Sequence, residues 1–215
     1  MKINMKPILR LIVFSLTIIL FNCKNETIQL EYKYADKPET IICNVSNTKL
    51  FQEALYSFED DIFKYYKKNN FKSTLINAYA QFTRNAINGR IKYDEIISEH
   101  SLIVFEALKK DNSLWDSENT KSHLNYNGPL IKCIANNIKD KNLNTTFNSL
   151  LSINDLSPKL FGPPLTTKYR NAMNDKYLAS FIAFDLYYSK FFDMDLTKIN
   201  LDKPDTKVDF NKTPQ

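Results

Sequence analysis

Glycine occurs at only three of 215 positions, 89, 128 and 162, so neither G-x-G-x-x-G nor the G-x-x-x-x-G-K-[ST] loop can be written anywhere in the chain, and nucleotide binding by those devices is excluded. Histidine is as scarce. His100 and His123 cannot supply an H-E-x-x-H site, nor the paired Glu-x-x-His motifs of a di-metal helical bundle. The three cysteines contain no C-x-x-C, and no G-x-S-x-G is present. No cofactor, metal site or catalytic residue is therefore assigned. The longest apolar run, residues 11–21 (LIVFSLTIILF), has 11 residues where roughly 20 are needed to cross a bilayer as a helix. At 43% apolar residues the chain is nonetheless long enough for one buried core.

The N-terminus carries Lys2, Lys6 and Arg10 with no acid, followed by the apolar run: the n-region and h-region of a secretory signal. The run ends in Leu20-Phe21-Asn22-Cys23, which resembles the lipobox of bacterial lipoproteins, with Asn22 where Gly, Ala or Ser is usual. The resemblance covers about the first 26 residues. It implies that residues 1–22 are a signal peptide removed at cleavage, that Cys23 becomes the acylated first residue (palmitate being a typical chain), and that the lipoprotein is held at a membrane of the cell envelope. Lys24 rather than Asp after the cysteine implies the outer membrane. Each buried methylene contributes about 0.8 kcal/mol, so two or three acyl chains hold firmly where one holds marginally.

Charge follows from this cut. The whole chain is +5, but without residues 1–22 it keeps 26 Lys plus Arg against 24 Asp plus Glu, about +2. Its only arginines are then Arg84, Arg90 and Arg170, and with so little of the residue best suited to phosphate forks, nucleic acid is not expected as a partner. Cys43 and Cys133 remain in an oxidising compartment, where a bridge between them is expected; two buried free thiols is the alternative. Residues 23–44 read as the lipidated cysteine and a polar tether, 45–196 as a helical domain, and 197–215 as a disordered Lys-, Asp- and Pro-rich tail.

The domain is expected to be all-α, an irregular bundle of about six helices. Phe51, Leu55, Phe58, Ile62 and Tyr65 form one face of a helix over 50–66. Ser73 suits an N-cap for a helix over 74–87 ending at Asn88-Gly89. A third helix is expected over 93–110, a fourth from Gly128-Pro129 to 138, and a short fifth over 145–151. Pro158 and Gly162-Pro163-Pro164 read as a rigid connector into a long helix over 166–192.

Among polar residues, His100 shares a stripe with Ile96, Ile103 and Val104. Helical neighbours lie three or four apart, so Glu99 and Glu95 are poorly spaced to orient it, and a core histidine satisfied by one hydrogen bond is the expectation. His123 reads as a surface residue. Glu59-Asp60-Asp61 reads as a solvated face with an Asp60–Lys64 pair. The doublets Tyr65-Tyr66, Tyr187-Tyr188 and Phe191-Phe192 each suggest one ring in the core and one at a groove. The loop carrying Trp115, the only tryptophan, and the Phe161-Gly162-Pro163-Pro164 segment are the expected recognition surfaces. The leading function is an envelope lipoprotein whose helical domain is a non-enzymatic binding module for a protein, peptide or glycan, an inhibitor or immunity protein being one version. The alternative is an envelope hydrolase using His100 with Glu95 or Glu99.

Overall fold

The amphipathic stripe predicted first becomes α1, Thr48–Asn69, with Phe51, Leu55, Phe58 and Ile62 fully in the core. The computed structural model describes residues 30–199, and among these every regular element is helical. The signal segment, Cys23 and residues 200–215 of the expected tail lie outside the described residues. Helix α2, Leu75–Ile87, ends at Asn88 with Gly89 at φ +64°, the left-handed turn that glycine adopts without a Cβ penalty. Its cap is Thr74, whose hydroxyl accepts from Asn77 N, and not Ser73, whose own hydroxyl is buried without a partner among the described residues.

The expected third helix is two. α3, Tyr93–Ile96, stops because Ser98 turns into an N-cap, its hydroxyl accepting from Ser101 N, and α4, Glu99–Leu108, starts there. α5, Pro129–Asn137, has proline at its first position as expected. α6, Lys141–Ser152, begins four residues before its predicted start, because Asp140 caps it through Leu143 N.

The largest correction concerns the prolines. Residues 158–168 are not a connector but α7, Pro158–Lys168, with Pro163 and Pro164 inside it. The hydroxyls of Thr166 and Thr167 bond the carbonyls of Pro163 and Pro164, and Gly162 lets α7 lie directly on α2, where a Cβ would meet Ile87 Cγ2 at 2.6 Å. The long helix over 166–192 is accordingly broken into a 3₁₀ turn, Tyr169–Met173, then α8, Lys176–Leu186, and a second 3₁₀ turn, Tyr188–Asp193. Asp175 causes the restart: one carboxylate oxygen caps Tyr177 N and Leu178 N, and the other holds Lys139 N. From Leu178 to Leu186 every residue of α8 is buried, so this helix is the centre of the bundle, packed on α1, α2 and α5.

Aromatic side chains fill the space around it edge to face, as in Phe147, Phe161 and Phe181, whose rings lie 4.9 to 5.5 Å apart. Tyr187 and Tyr188 are both buried, against the expectation of one ring outward, whereas Phe191 is buried and Phe192 exposed as expected.

Residues 30–44, expected as tether, are strapped across α1. Gln52 Nε2 donates to the carbonyls of Tyr34 and Lys37, and Tyr56 OH to that of Pro38. The strap's far end is fixed covalently: Cys43 and Cys133 form a disulfide with Cα atoms 6.2 Å apart, joining the strap to α5 across 90 residues. Closing a loop of that length destabilises the unfolded chain by about 4.6 kcal/mol in the entropic account. Reductant, or the Cys43→Ser/Cys133→Ser variant, is expected to lower the thermal midpoint by well over 5 °C; an unchanged midpoint would refute the contribution.

Candidate functional site

Glu53, Ser57 and Asp61 stand at i, i+4 and i+8 on α1, and they face α4 rather than water. Glu53 is 1% and Asp61 3% exposed. His100 Nε2 lies 2.6 Å from Glu53 Oε1; since the carboxylate accepts, the nitrogen carries the proton. Glu53 also takes Lys33 N at 2.7 Å and Tyr34 N at 3.0 Å, so one carboxylate joins α1, α4 and the strap. His100 is therefore the buried, hydrogen-bonded histidine that was expected. Its partner comes from another helix, and neither Glu95, which accepts from Tyr65 and Lys92, nor the exposed Glu99 faces it.

The ladder continues downward. Ser101 Oγ donates to Asp61 Oδ2 at 2.6 Å, which leaves Ser57 Oγ to donate to Ser101 Oγ, also at 2.6 Å. Tyr187 OH and Ser98 N complete the set on Asp61 Oδ2 at 2.6 and 3.2 Å. Burial pushes the Asp61 carboxyl up from its ordinary value, although every one of these donors pulls it down. Asp185 on α8 is placed likewise, accepting from Ser122 and Tyr126 on the Trp115 loop, with burial again raising it.

The solvated-face expectation for 59–61 is thereby corrected for two of its three residues. Glu59 is buried against Tyr79 OH and Lys176 Nζ at 2.9 and 2.7 Å; only Asp60 meets solvent, paired with Lys64 as expected. The i, i+4, i+8 register of Glu53, Ser57 and Asp61 places them on one helix face, which is legible in the sequence, although nothing local marks that face as buried. Ser122 and Asp185 gave no signal, being 63 residues apart.

The open chemistry lies at the other end of α4. Trp115 pairs with Leu124 in an isolated antiparallel bridge, Asn119 Nδ2 donates to Leu124 O, and Trp115 Nε1 donates to Leu108 O at 2.8 Å. The loop is therefore rigid. His123 sits at its turn with φ +60°, a strained backbone for a residue with a Cβ, and its Nε2 pairs with Asp193 at 2.8 Å while its ring packs on Phe192. Trp115 and Phe192 meet at 4.9 Å with planes 73° apart. These rings, with Lys109, Asp111, Asn112, Asp116 and Ser117, line a cleft of about 270 Å³. Asp111 supports its floor: partial burial pushes that carboxyl up, but hydrogen bonds from Ser113, Asn47 and Leu114 hold it below its usual value.

Two larger clefts lie elsewhere on the described surface. One of about 620 Å³ lies between α2 and α7 and includes Arg84, Gly162 and Pro163 of the segment expected to recognise a partner. Another of about 390 Å³ lies under the strap beside Cys43 and Thr48. Among the described residues no group of three His, Cys, Asp or Glu could hold a metal ion, and no helix is long and apolar enough to cross a membrane. Compared with known proteins, the chain matches no family model, no curated protein and no solved structure.

Proposed function

We propose that this protein is a lipoprotein of the cell envelope, anchored through Cys23 on the outer membrane, whose helical domain is a non-enzymatic binding module. The lipobox-like Leu20-Phe21-Asn22-Cys23 supports the anchor. The Trp115 cleft carries the binding role: it is a rigid aromatic recess whose rim side chains Asn112 and Ser117 make no hydrogen bond among the described residues, so their capacity is available to a ligand. Only six residues lie between Cys23 and Leu30, seven Cα-to-Cα steps with an extended reach of at most roughly 25 Å, so the strap keeps the domain close to the acyl chains.

Replacing Cys23 with Ser is expected to move the protein from the membrane fraction to the soluble fraction and to abolish incorporation of radiolabelled palmitate. Retention of both properties would exclude the anchor. An envelope hydrolase is the second reading, and the His100–Glu53 pair is the observation in its favour. It requires the full-length protein to cleave an envelope polymer in a manner lost in His100→Ala.

A further inference from the structure

The Trp115 cleft combines two surfaces of opposite character at fixed positions. One wall is aromatic, made by Trp115, the 38% exposed ring of Phe192 and the imidazole of His123. The other is polar, made by Asn112, Ser117 and Asp116. Asp116 Oδ1 is occupied by Glu118 N, while Oδ2 has no partner among the described residues. Asp111, by contrast, spends both oxygens on Ser113 and Asn47, and Lys109 is drawn to Glu106 at 2.6 Å. The groups left to a ligand are thus one amide, one hydroxyl and one carboxylate oxygen beside an aromatic face.

We propose that this cleft binds a single pyranose ring of an envelope glycan. The proposal rests on the reading of the cleft as the binding surface and names what that surface takes. A pyranose has an apolar C–H face, which packs on aromatic rings, and an edge of adjacent hydroxyls, each both donor and acceptor. An amide and a carboxylate oxygen match such an edge. Volume points the same way. At about 270 Å³ the cleft falls just under the range of drug-sized sites, roughly 300–1,000 Å³, and holds one ring-sized unit. A folded protein partner needs about 800 Å² of surface, for which this recess provides only an anchor point. A bare aliphatic cation is disfavoured because the Lys109 side chain lines the same recess.

Preorganisation makes so small a site workable. The indole N–H is tied to Leu108 O, so the ring plane is set before a ligand arrives, and the Phe105 ring behind it stands 76° to the indole at 6.3 Å. Because Trp115 is the only tryptophan, its emission reports the cleft directly.

The test titrates the full-length acylated protein, in a detergent without a sugar headgroup, with chitotriose, maltotriose and lactose, while Trp115 fluorescence and saturation transfer to the sugar C–H protons are recorded. At least one saccharide is expected to saturate the signal with a half-point of roughly 1 mM, typical of a one-ring site. Asn112→Ala and Ser117→Ala, both on exposed residues without side-chain hydrogen bonds among the described ones, are each expected to weaken binding about fivefold with unchanged circular dichroism. Failure of all three saccharides, or an unchanged half-point in both variants, overturns the proposal. So does a saturable response to choline or to a tetra-alanine peptide in place of sugar, which would assign the cleft to a cation or a peptide. In each of those cases the Cys23→Ser fractionation still decides the anchor by itself.

Discussion

Glu53→Ala is expected to destabilise the domain by about 3 kcal/mol or more, because a buried carboxylate that accepts three hydrogen bonds is lost at once. Three donors lose their acceptor together: His100 Nε2, Lys33 N and Tyr34 N. His100 Nε2 would then be left without a partner in a buried site, at about 1–3 kcal/mol before relaxation, while the part-buried amides of Lys33 and Tyr34 cost less because they lie nearer the surface. With native stabilities of only about 5–15 kcal/mol, the loss would be visible in any denaturant titration. The strap should loosen before the bundle does, because it keeps only a few hydrogen bonds, from Gln52, Tyr56 and Tyr177 and from Tyr34 to Asp60, while its far end stays bonded through Cys43. Hydrogen exchange at the amides of Lys33 and Tyr34 should therefore accelerate more than exchange in α8. The Glu53→Ala/His100→Ala double variant should cost less than the two single changes added together, since removing both partners leaves fewer orphaned groups. Strict additivity, or a midpoint equal to that of the unaltered protein, would show that the carboxylate is not holding the strap.

The second large effect is on pH. Asp61 and Asp185 both have carboxyls raised by burial, so the folded state binds their protons more tightly than the unfolded chain does. For such groups the stabilising contribution is fully present below the unfolded value of 3.8 and is lost as pH rises through the raised folded value. Stability attributable to these two residues should therefore increase as pH falls from neutrality toward 4, the reverse of ordinary acid denaturation. Asp111 opposes this at the acid end, because its lowered carboxyl contributes stability that is lost as pH falls through its folded value. Asp61→Asn/Asp185→Asn removes the titrating groups while keeping their shape. The difference in unfolding free energy between the unaltered protein and this variant should thus shift in favour of the unaltered protein on acidification from neutrality. A difference that does not change with pH would show that the two carboxylates do not titrate differently on folding. Asp61→Ala is the harsher change, leaving Tyr187 OH and Ser98 N without their acceptor.

Local signals in the chain were read where they act locally. The stripe of Phe51, Leu55, Phe58 and Ile62 gave α1 its inward face, Gly89 ended α2, and Pro129 opened α5, because periodicity, a left-handed turn and a fixed φ are properties of a few consecutive residues. Pro163 and Pro164 misled for the same reason. Their intrinsic cost to a helix is real, but packing of α7 on α2 at Gly162 and on α6 outweighs it. Likewise the single long helix over 166–192 fails at Asp175, whose capping carboxylate also serves Lys139, 36 residues away.

The buried polar groups were out of reach of such reading. Acidic residues on a helix are exposed by default, and Glu53, Glu59 and Asp61 are buried because His100, Lys176 and Tyr187 arrive from 47, 117 and 126 residues away. The same holds for the Trp115 cleft, where the loop is legible in the sequence but the ring that completes its aromatic wall, Phe192, comes from beyond α8. The amino-acid sequence by itself determined the helical class of this protein, the inward face of its first helix and the cysteines available for bridging. Only the tertiary structure decided which carboxylates are buried, where the strap is held and which rings share a cleft, because the free energy of a buried polar group depends on partners that only long-range packing brings within hydrogen-bonding distance.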